Sequence, residues 1–134
     1  LSVTAGLIID DTSLGLGCWV ASVLGHIFPV TRRFQGGKGV ATGAGGCWVL
    51  FPLVGAICTV GFALIVKISK KASVASMSIA LLMPLSMGLL GAKANEVLVA
   101  SILSGVILLR HQANLRRLIT GSEYSLKTKG HRTD

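Results

Sequence analysis

The chain has 134 residues, of which 51% are hydrophobic and 13% are charged, whereas roughly 25% of the residues in ordinary soluble domains are charged. The mean hydropathy is +0.73, and a small soluble domain cannot bury so much apolar surface, because much of its surface stays exposed. A net charge of +8 and 17 glycines are typical of a tightly packed membrane helix bundle with basic loops. The basic residues form no stripe on a polar helix and aromatic residues are few, so nucleic-acid binding is disfavoured.

The N-terminal part of the chain is mixed in character. A polar stretch around Asp10 and Asp11 leads toward a helix N-cap, and residues 14–30 are apolar enough for a first membrane span. No charged segment followed by an apolar run and a cleavage site is present, so we predict no signal peptide. The first methionine is Met77, and we expect the chain to be truncated at its N-terminus or numbered from a non-Met start.

The middle of the chain contains the next spans. Residues 40–66 carry no charge and could form one long span, but Pro52 lacks a backbone donor and disfavours helix at the preceding residue. A helical hairpin hinged there places the basic clusters on both sides of this stretch at the same membrane face, as the positive-inside rule favours. Residues 72–92 are predicted as a span interrupted at Pro84, and residues 97–109 return the chain.

The resulting prediction is an all-α polytopic membrane helix bundle with about five spans. Its membrane domain covers residues 1–124, and residues 125–134 form a basic tail. Three polar segments, 31–39, 67–73 and 110–123, are expected to meet at one membrane face. Loops that converge from separate helices can build a site at the end of a bundle.

The first candidate site element is the glycine-rich loop around Lys38. Gly36, Gly37 and Gly39 allow backbone N–H groups to approach an anion, and Lys38 adds a charge suited to phosphate. The helix that follows directs its positive N-terminal end to the same place. The loop is not a P-loop, because a Walker motif requires Ser or Thr where Gly39 follows the lysine. The alternative interpretation is a flexible basic turn that only sets topology.

Two single residues also have both a structural and a functional interpretation. His26 lies at the end of an apolar span, where a histidine is costly unless it is paired or faces a polar cavity. Ser73 stands at a predicted helix start, where serine commonly caps the helix, although its hydroxyl could equally contact a phosphate. Without further information, the helix cap is the favoured interpretation of Ser73.

The third element is RHQANLRRL, residues 110–118. If it is helical, Arg110, His111, Asn114 and Arg117 lie on one side of the helix. Arginine can bind phosphate, histidine can exchange a proton and asparagine can hold a hydroxyl. The alternative is a basic helix end that anchors the span at the interface. Neither HExxH nor GxSxG occurs, and no histidine and cysteine cluster has metal-ligand spacing.

Two of these segments resemble one family. GHIFPVTRRFQGGKGVAT (25–42) and RHQANLRRLITGSE (110–123) are similar to the second and third signatures of the acyl-phosphate-dependent glycerol-3-phosphate acyltransferases. SVAS (73–76) resembles the serine-bearing turn of that family. The resemblance extends over roughly residues 14–124.

The resemblance implies a seven-span enzyme of the bacterial plasma membrane whose active face and C-terminus are cytoplasmic. Such an enzyme transfers an acyl group from acyl-phosphate to the 1-hydroxyl of glycerol-3-phosphate and releases lysophosphatidate and phosphate, without a metal or other cofactor. The predicted catalytic residues are Lys38, Ser73, His111 and Asn114, and the predicted substrate- and phosphate-binding residues are Gly36, Gly37, Gly39, Arg110 and His26.

One part of the family pattern has no counterpart in this sequence. The first signature of the family is a loop rich in Ser, Gly and Asn that contains an arginine, and no such segment occurs here. The alternatives are therefore an inactive fragment of the acyltransferase or a phosphate or anion transporter, since basic loops and helices broken at Pro52 and Pro84 also suit transport.

Overall fold

The structure is a computed structural model, and it describes residues 1–9 and 12–126. Over these residues the fold is entirely helical, which confirms the predicted all-α membrane bundle. The helices are α1 Ser2–Ile9, α2 Thr12–Ile27, α3 Val40–Leu50, α4 Pro52–Ser69, α5 Ala72–Leu89, α6 Ala94–Leu109 and α7 Gln112–Ile119, with one 3₁₀ turn at Val30–Arg32. The predicted polar stretch at Asp10 and Asp11 and most of the predicted tail, residues 127–134, lie outside the described residues.

Three helical segments in the described part of the chain are long and apolar enough to cross a membrane, namely Thr12–Arg32, Pro52–Ser69 and Ala72–Leu89. A fourth is added if Ala94–Leu109 and Gln112–Ile119, which meet at a 55° bend, are taken as one span. Helix α3 has only 11 residues. The described residues thus contain three or four candidate spans, whereas the sequence predicted about five. The long helices expose large side chains such as Leu64 and Leu81, as expected where lipid is the solvent.

The predicted hinge between α3 and α4 is confirmed. Pro52 occupies the first position of α4, and Phe51 before it leaves the helical conformation with φ −136° and ψ 71°. Proline is favoured at a helix start because its missing N–H has no intrahelical partner there. The two helices fold back on each other, since the Trp48 indole Nε1 donates to Thr59 Oγ1 at 2.9 Å. The hairpin returns the chain to the end of the bundle from which α3 starts.

The predicted interruption at Pro84 is wrong, because α5 runs from Ala72 to Leu89 with Pro84 inside it. Helix α5 lies between α4 and α6. In membrane bundles such packing can hold a proline-containing helix together, while neighbouring groups satisfy the freed backbone. The Ser86 hydroxyl donates to the carbonyls of Leu82 and Met83, so it bonds to the backbone beside the proline.

The contact between α2 and α3 is made by a tryptophan over a glycine. Trp19 is fully buried, and its indole Nε1 donates to the Gly43 carbonyl at 3.0 Å. A Cβ on Gly46 would collide with the Trp19 ring, so only glycine permits this approach of the two helices. This contact fixes where the N-terminus of α3 lies.

A glycine-to-alanine pair on α3 tests this contact. We expect Gly46→Ala to destabilise the protein by about 1–3 kcal/mol, because a methyl group is forced into a filled space. Gly45→Ala is the matched control, since nothing lies within 4 Å of its added Cβ and alanine is the better helix former. Thermal unfolding in detergent measures both. Equal unfolding temperatures for the two variants would contradict this packing.

Candidate active site

A cavity of about 400 Å³ lies at the end of the bundle where α2 and α6 end and α3 and α5 begin. Six of the predicted site residues line it: His26, Lys38, Gly39, Ser73, His111 and Asn114. The three predicted polar segments converge here. The Arg110 guanidinium Nη2 donates to the Gly36 carbonyl at 3.2 Å, and Leu126 N–H donates to the Lys70 carbonyl at 2.8 Å.

The glycine-rich loop packs against the end of α2. A Cβ on Gly36 would collide with backbone carbonyls of α2, and a Cβ on Gly37 would collide with the His26 imidazole. Gly37 N–H also donates to the His26 carbonyl at 3.1 Å. Neither Gly36 nor Gly37 lines the cavity, so their observed role is to let the loop lie close to α2 and direct Lys38 toward the cavity.

The N-terminus of α3 opens into the cavity. Gly39 precedes it with a positive φ of 80°, a conformation that glycine adopts without strain. Gly43 N–H is bonded to the Gly39 carbonyl, but no side chain caps the helix, and Val40 and Ala41 line the cavity. Free N–H groups and the positive end of the helix dipole attract anions, and Lys38 beside them adds a full positive charge.

The predicted grouping of Arg110 with His111 on one helix face is not observed, because α6 ends at Leu109 and α7 begins at Gln112. The two helices meet at a 55° bend. Arg110 turns away to the Gly36 carbonyl and lies over the Phe28 ring, with 5.9 Å from Cζ to the centroid. It does not line the cavity and instead ties the glycine-rich loop to the end of α6.

His111 enters the cavity at this bend. Its side chain is buried, and Nδ1 lies 2.7 Å from the Ile107 carbonyl oxygen. A carbonyl can only accept, so Nδ1 is the protonated nitrogen of the neutral ring and Nε2 carries the free lone pair. Such a ring is held in one tautomer and can accept a proton at Nε2.

Asn114 and Glu123 form a network that the sequence interpretation missed. Asn114 Nδ2 donates to Glu123 Oε1 at 2.7 Å, and Arg117 Nε donates to Glu123 Oε2 at 2.8 Å. The Asn114 carbonyl oxygen is buried without a hydrogen-bond partner. Glu123 therefore fixes the amide so that its acceptor oxygen stays available to a ligand. Glu123 is the only acidic residue in the polar segment 110–123, which is the signal that could have identified it.

Ser73 is not the helix cap that the residues alone favoured. Lys71 is the N-cap of α5, and no side chain caps this helix. Ser73 lies within the first turn, and its buried hydroxyl makes no hydrogen bond of good geometry. It nevertheless lies close enough to Glu123 to stabilise the carboxylate. The cavity thus contains two buried polar atoms without a good partner, Ser73 Oγ and Asn114 Oδ1, which is the arrangement expected of a ligand site.

The surroundings of Glu123 hold it in the ionised state. The Ser73 hydroxyl, the Asn114 amide and Arg117 together lower the pKa of Glu123 from its ordinary 4.5 to about 2. Because the folded state binds the proton less tightly than the unfolded state, the carboxylate stabilises the fold above pH 4.5. This contribution is lost as the pH falls from 4.5 toward 2.

A comparison of pH values tests this account of Glu123. We expect the unfolding temperature of the unmodified chain to fall between pH 6 and pH 3 by more than that of Glu123→Gln, because the variant has no carboxylate to protonate. Thermal unfolding in the same detergent at both pH values gives the two differences. An equal fall in both proteins would show that this carboxylate is not stabilised by the fold.

A second, mostly apolar cavity of about 350 Å³ adjoins the first and shares Val40, Ala41 and Ser76 with it. It extends between α3, α4 and α5, with Ile107 of α6 at one wall. The polar cavity is therefore continuous with an apolar space inside the bundle. The described residues contain no group of three or more His, Cys, Asp or Glu side chains that could hold a metal ion.

The fold and the two cavities define an integral membrane helix bundle with a polar, anion-attracting cavity at one end. A family model described as glycerol-3-phosphate acyltransferase matches residues 2–121, and the chain belongs to this family. The glycerol-3-phosphate acyltransferase of Desulfotalea psychrophila is 44% identical over 110 residues, which cover 82% of this chain and 56% of that protein.

Two solved structures of the integral membrane glycerol 3-phosphate acyltransferase PlsY share the fold. The glycerol 3-phosphate form has a TM-score of 0.86 at 30% identity and covers 92% of this chain and 62% of that one. The lysophosphatidic acid form has a TM-score of 0.81 at 32% identity, with 92% and 68% covered. The chain thus spans somewhat more than half the length of these relatives.

Proposed function

We propose that this chain transfers an acyl group from acyl-phosphate to the 1-hydroxyl of glycerol-3-phosphate and yields lysophosphatidate and inorganic phosphate. The observation that supports this most strongly is the junction of the two cavities. A phosphate and a hydroxyl fit the polar cavity, and an acyl chain fits the apolar one, so the reacting carbonyl lies near Val40, Ala41 and Ser76.

The phosphate-binding part of the proposal rests on Lys38 and the N-terminus of α3. The ammonium group and the free backbone N–H groups are both at the polar cavity. They can bind the phosphate of glycerol-3-phosphate and stabilise negative charge as the acyl carbonyl is attacked. Gly36, Gly37 and Arg110 support this role indirectly, because they hold the loop against α2 and α6.

The hydroxyl-orienting part rests on Asn114 and Ser73. Asn114 Oδ1 is a buried acceptor without a partner, and Ser73 Oγ is a buried hydroxyl without one of good geometry. Either can accept a hydrogen bond from the glycerol hydroxyl and align it with the carbonyl, and such positioning lowers the barrier of a two-substrate reaction. His26, exposed at the cavity edge, supports the loop and is assigned no chemical step.

In the proposed reaction the glycerol oxygen forms a bond to the acyl carbon, and the bond between that carbon and the phosphate oxygen breaks. The hydroxyl proton moves to His111 Nε2, or to an oxygen of the leaving phosphate. Glu123 is a poor base because its pKa is about 2 and both of its oxygens already accept hydrogen bonds.

We further propose that the cavity end of the bundle faces the cytoplasm of a bacterial cell, together with the C-terminus. Basic residues concentrate at this end, as the positive-inside rule requires: Arg32, Arg33, Lys38, Lys67, Lys70, Lys71, Arg110, Arg116 and Arg117. The α5–α6 turn at the other end has Lys93, followed by Glu96 in the first turn of α6.

A stoichiometry measurement in proteoliposomes tests the proposed reaction. We expect one phosphate to be released for each lysophosphatidate formed, and only when palmitoyl-phosphate and glycerol-3-phosphate are both present. The control measures phosphate flux across the same vesicles without an acyl donor. Flux without lysophosphatidate would overturn the proposal in favour of an anion transporter. The sequence suggested a transporter as an alternative partly because it predicted a helix broken at Pro84. Helix α5 is continuous through Pro84, so this argument for a transporter is weaker.

A further inference from the structure

The apolar cavity has a defined far wall. Helices α3 and α5 both begin at the polar cavity, whereas α4 runs toward it. The residues that line the apolar cavity farthest along these helices are Cys47 on α3, Gly55 near the start of α4, and Met83 on α5. All three are buried. From Val40 to Cys47, and equally from Ser76 to Met83, seven residues separate the polar junction from this wall, a depth of ~10 Å at ~1.5 Å per residue.

The far wall is closed by tight packing. A Cβ on Gly55 would lie 3.0 Å from Trp48, so α3 and α4 leave no free space between them at this level. Met83 is 5% exposed and belongs to the hydrophobic core. By contrast, Ala44 and Thr59, which line the cavity nearer its middle, are exposed. The cavity is therefore blocked at its end but open at its side toward the lipid.

We propose that this far wall sets the acyl-chain specificity of the site: the first part of the chain runs toward Cys47 and Met83, and a longer chain must leave sideways past Ala44 and Thr59. The inference rests on the proposed function. The side chain of Met83 is the main determinant, because it is the largest of the wall residues and its volume decides how far a straight chain can reach. Cys58, which lines the same cavity from α4, lies beside the path of the chain.

Probes of different chain length make the inference testable without turnover. The probes are butyl-, octyl- and hexadecylphosphonate, whose head group resembles phosphate and which cannot be hydrolysed. Competition with radiolabelled octylphosphonate in lipid nanodiscs gives the Kd of each probe.

We expect octylphosphonate to bind roughly tenfold or more tightly than butylphosphonate, because its four further carbon atoms are buried in the apolar cavity. Met83→Trp should fill the end of the cavity and weaken octyl- and hexadecylphosphonate roughly tenfold relative to butylphosphonate. Leu81→Trp is the matched control, because Leu81 lies on the same helix but is exposed and does not line the cavity.

The outcomes separate the inference from the function on which it rests. Binding of butylphosphonate should weaken strongly in Lys38→Ala, where only the backbone N–H groups at the start of α3 remain to attract the head group. If butylphosphonate binds in a Lys38-dependent way but Met83→Trp weakens octylphosphonate no more than Leu81→Trp does, the chain-length inference is wrong and the proposed function stands. If no phosphonate binds in a Lys38-dependent way, both are wrong.

Discussion

Lys38→Ala is expected to lower kcat/KM for glycerol-3-phosphate by roughly 100- to 1,000-fold, the effect of removing one group that stabilises developing charge. Lys38 is the only lysine among the residues that line the polar cavity, and it lies beside the uncapped N-terminus of α3. The remaining backbone N–H groups can still attract a phosphate, so residual binding is expected while most of the rate is lost. Initial rates of lysophosphatidate formation measure the effect.

The control for this prediction is another exposed lysine. Lys67 lies in the last turn of α4 and does not line the cavity, so Lys67→Ala should change the rate less than twofold if only local charge near the phosphate matters. A similar rate loss in both variants would indicate a general effect of net charge. Ordinary turnover by Lys38→Ala would remove this residue from the site.

His111→Gln is expected to lower kcat roughly 100- to 10,000-fold at every pH, as the loss of a general base does, while glycerol-3-phosphate still binds. The structural reason is the fixed tautomer: the Nδ1 proton is held by the Ile107 carbonyl, and Nε2 is left to accept the substrate proton. Rates and substrate affinity measured from pH 6 to pH 9 separate chemistry from binding.

A second substitution guards against a purely structural effect at this buried position. His111→Asn keeps a donor near the Ile107 carbonyl but offers no base, so it should also lose rate while it retains the unfolding temperature better than His111→Gln. If either folded variant kept at least a tenth of the rate, the leaving phosphate would be the better candidate for the proton acceptor.

The sequence predicted those features that depend on short stretches of chain. The hinge at Pro52 follows from the missing N–H of proline and its restriction of Phe51, and the structure shows it where expected. The convergence of the three polar segments followed from the requirement that basic loops lie on one face. Both arguments are independent of how the helices pack.

Features that depend on packing were missed or misjudged. Pro84 was expected to interrupt a span, but α5 is held between α4 and α6 and continues through it. Arg110 and His111 are adjacent in sequence, yet the bend between α6 and α7 sends one to the Gly36 carbonyl and the other into the cavity. A helical projection of residues 110–117 assumes one continuous helix, so it could not predict the bend between α6 and α7.

The role of the Glu123 carboxylate was missed for a different reason. Its role depends on Asn114 and Arg117, which approach it only because α7 and the following turn bring residue 123 back to the cavity. The apolar cavity was not predicted either, since its wall combines residues from the four helices α3, α4, α5 and α6. Hydropathy shows that such residues are apolar but not that they leave a space.

The most direct test of the proposed function is a donor comparison with the 134-residue chain reconstituted in lipid. Radiolabelled glycerol-3-phosphate is supplied with palmitoyl-phosphate, with palmitoyl-CoA, or with no donor, and labelled lysophosphatidate is measured. The proposed function predicts product with palmitoyl-phosphate and none with the other two. Absence of product with palmitoyl-phosphate, or equal product with palmitoyl-CoA, would contradict it.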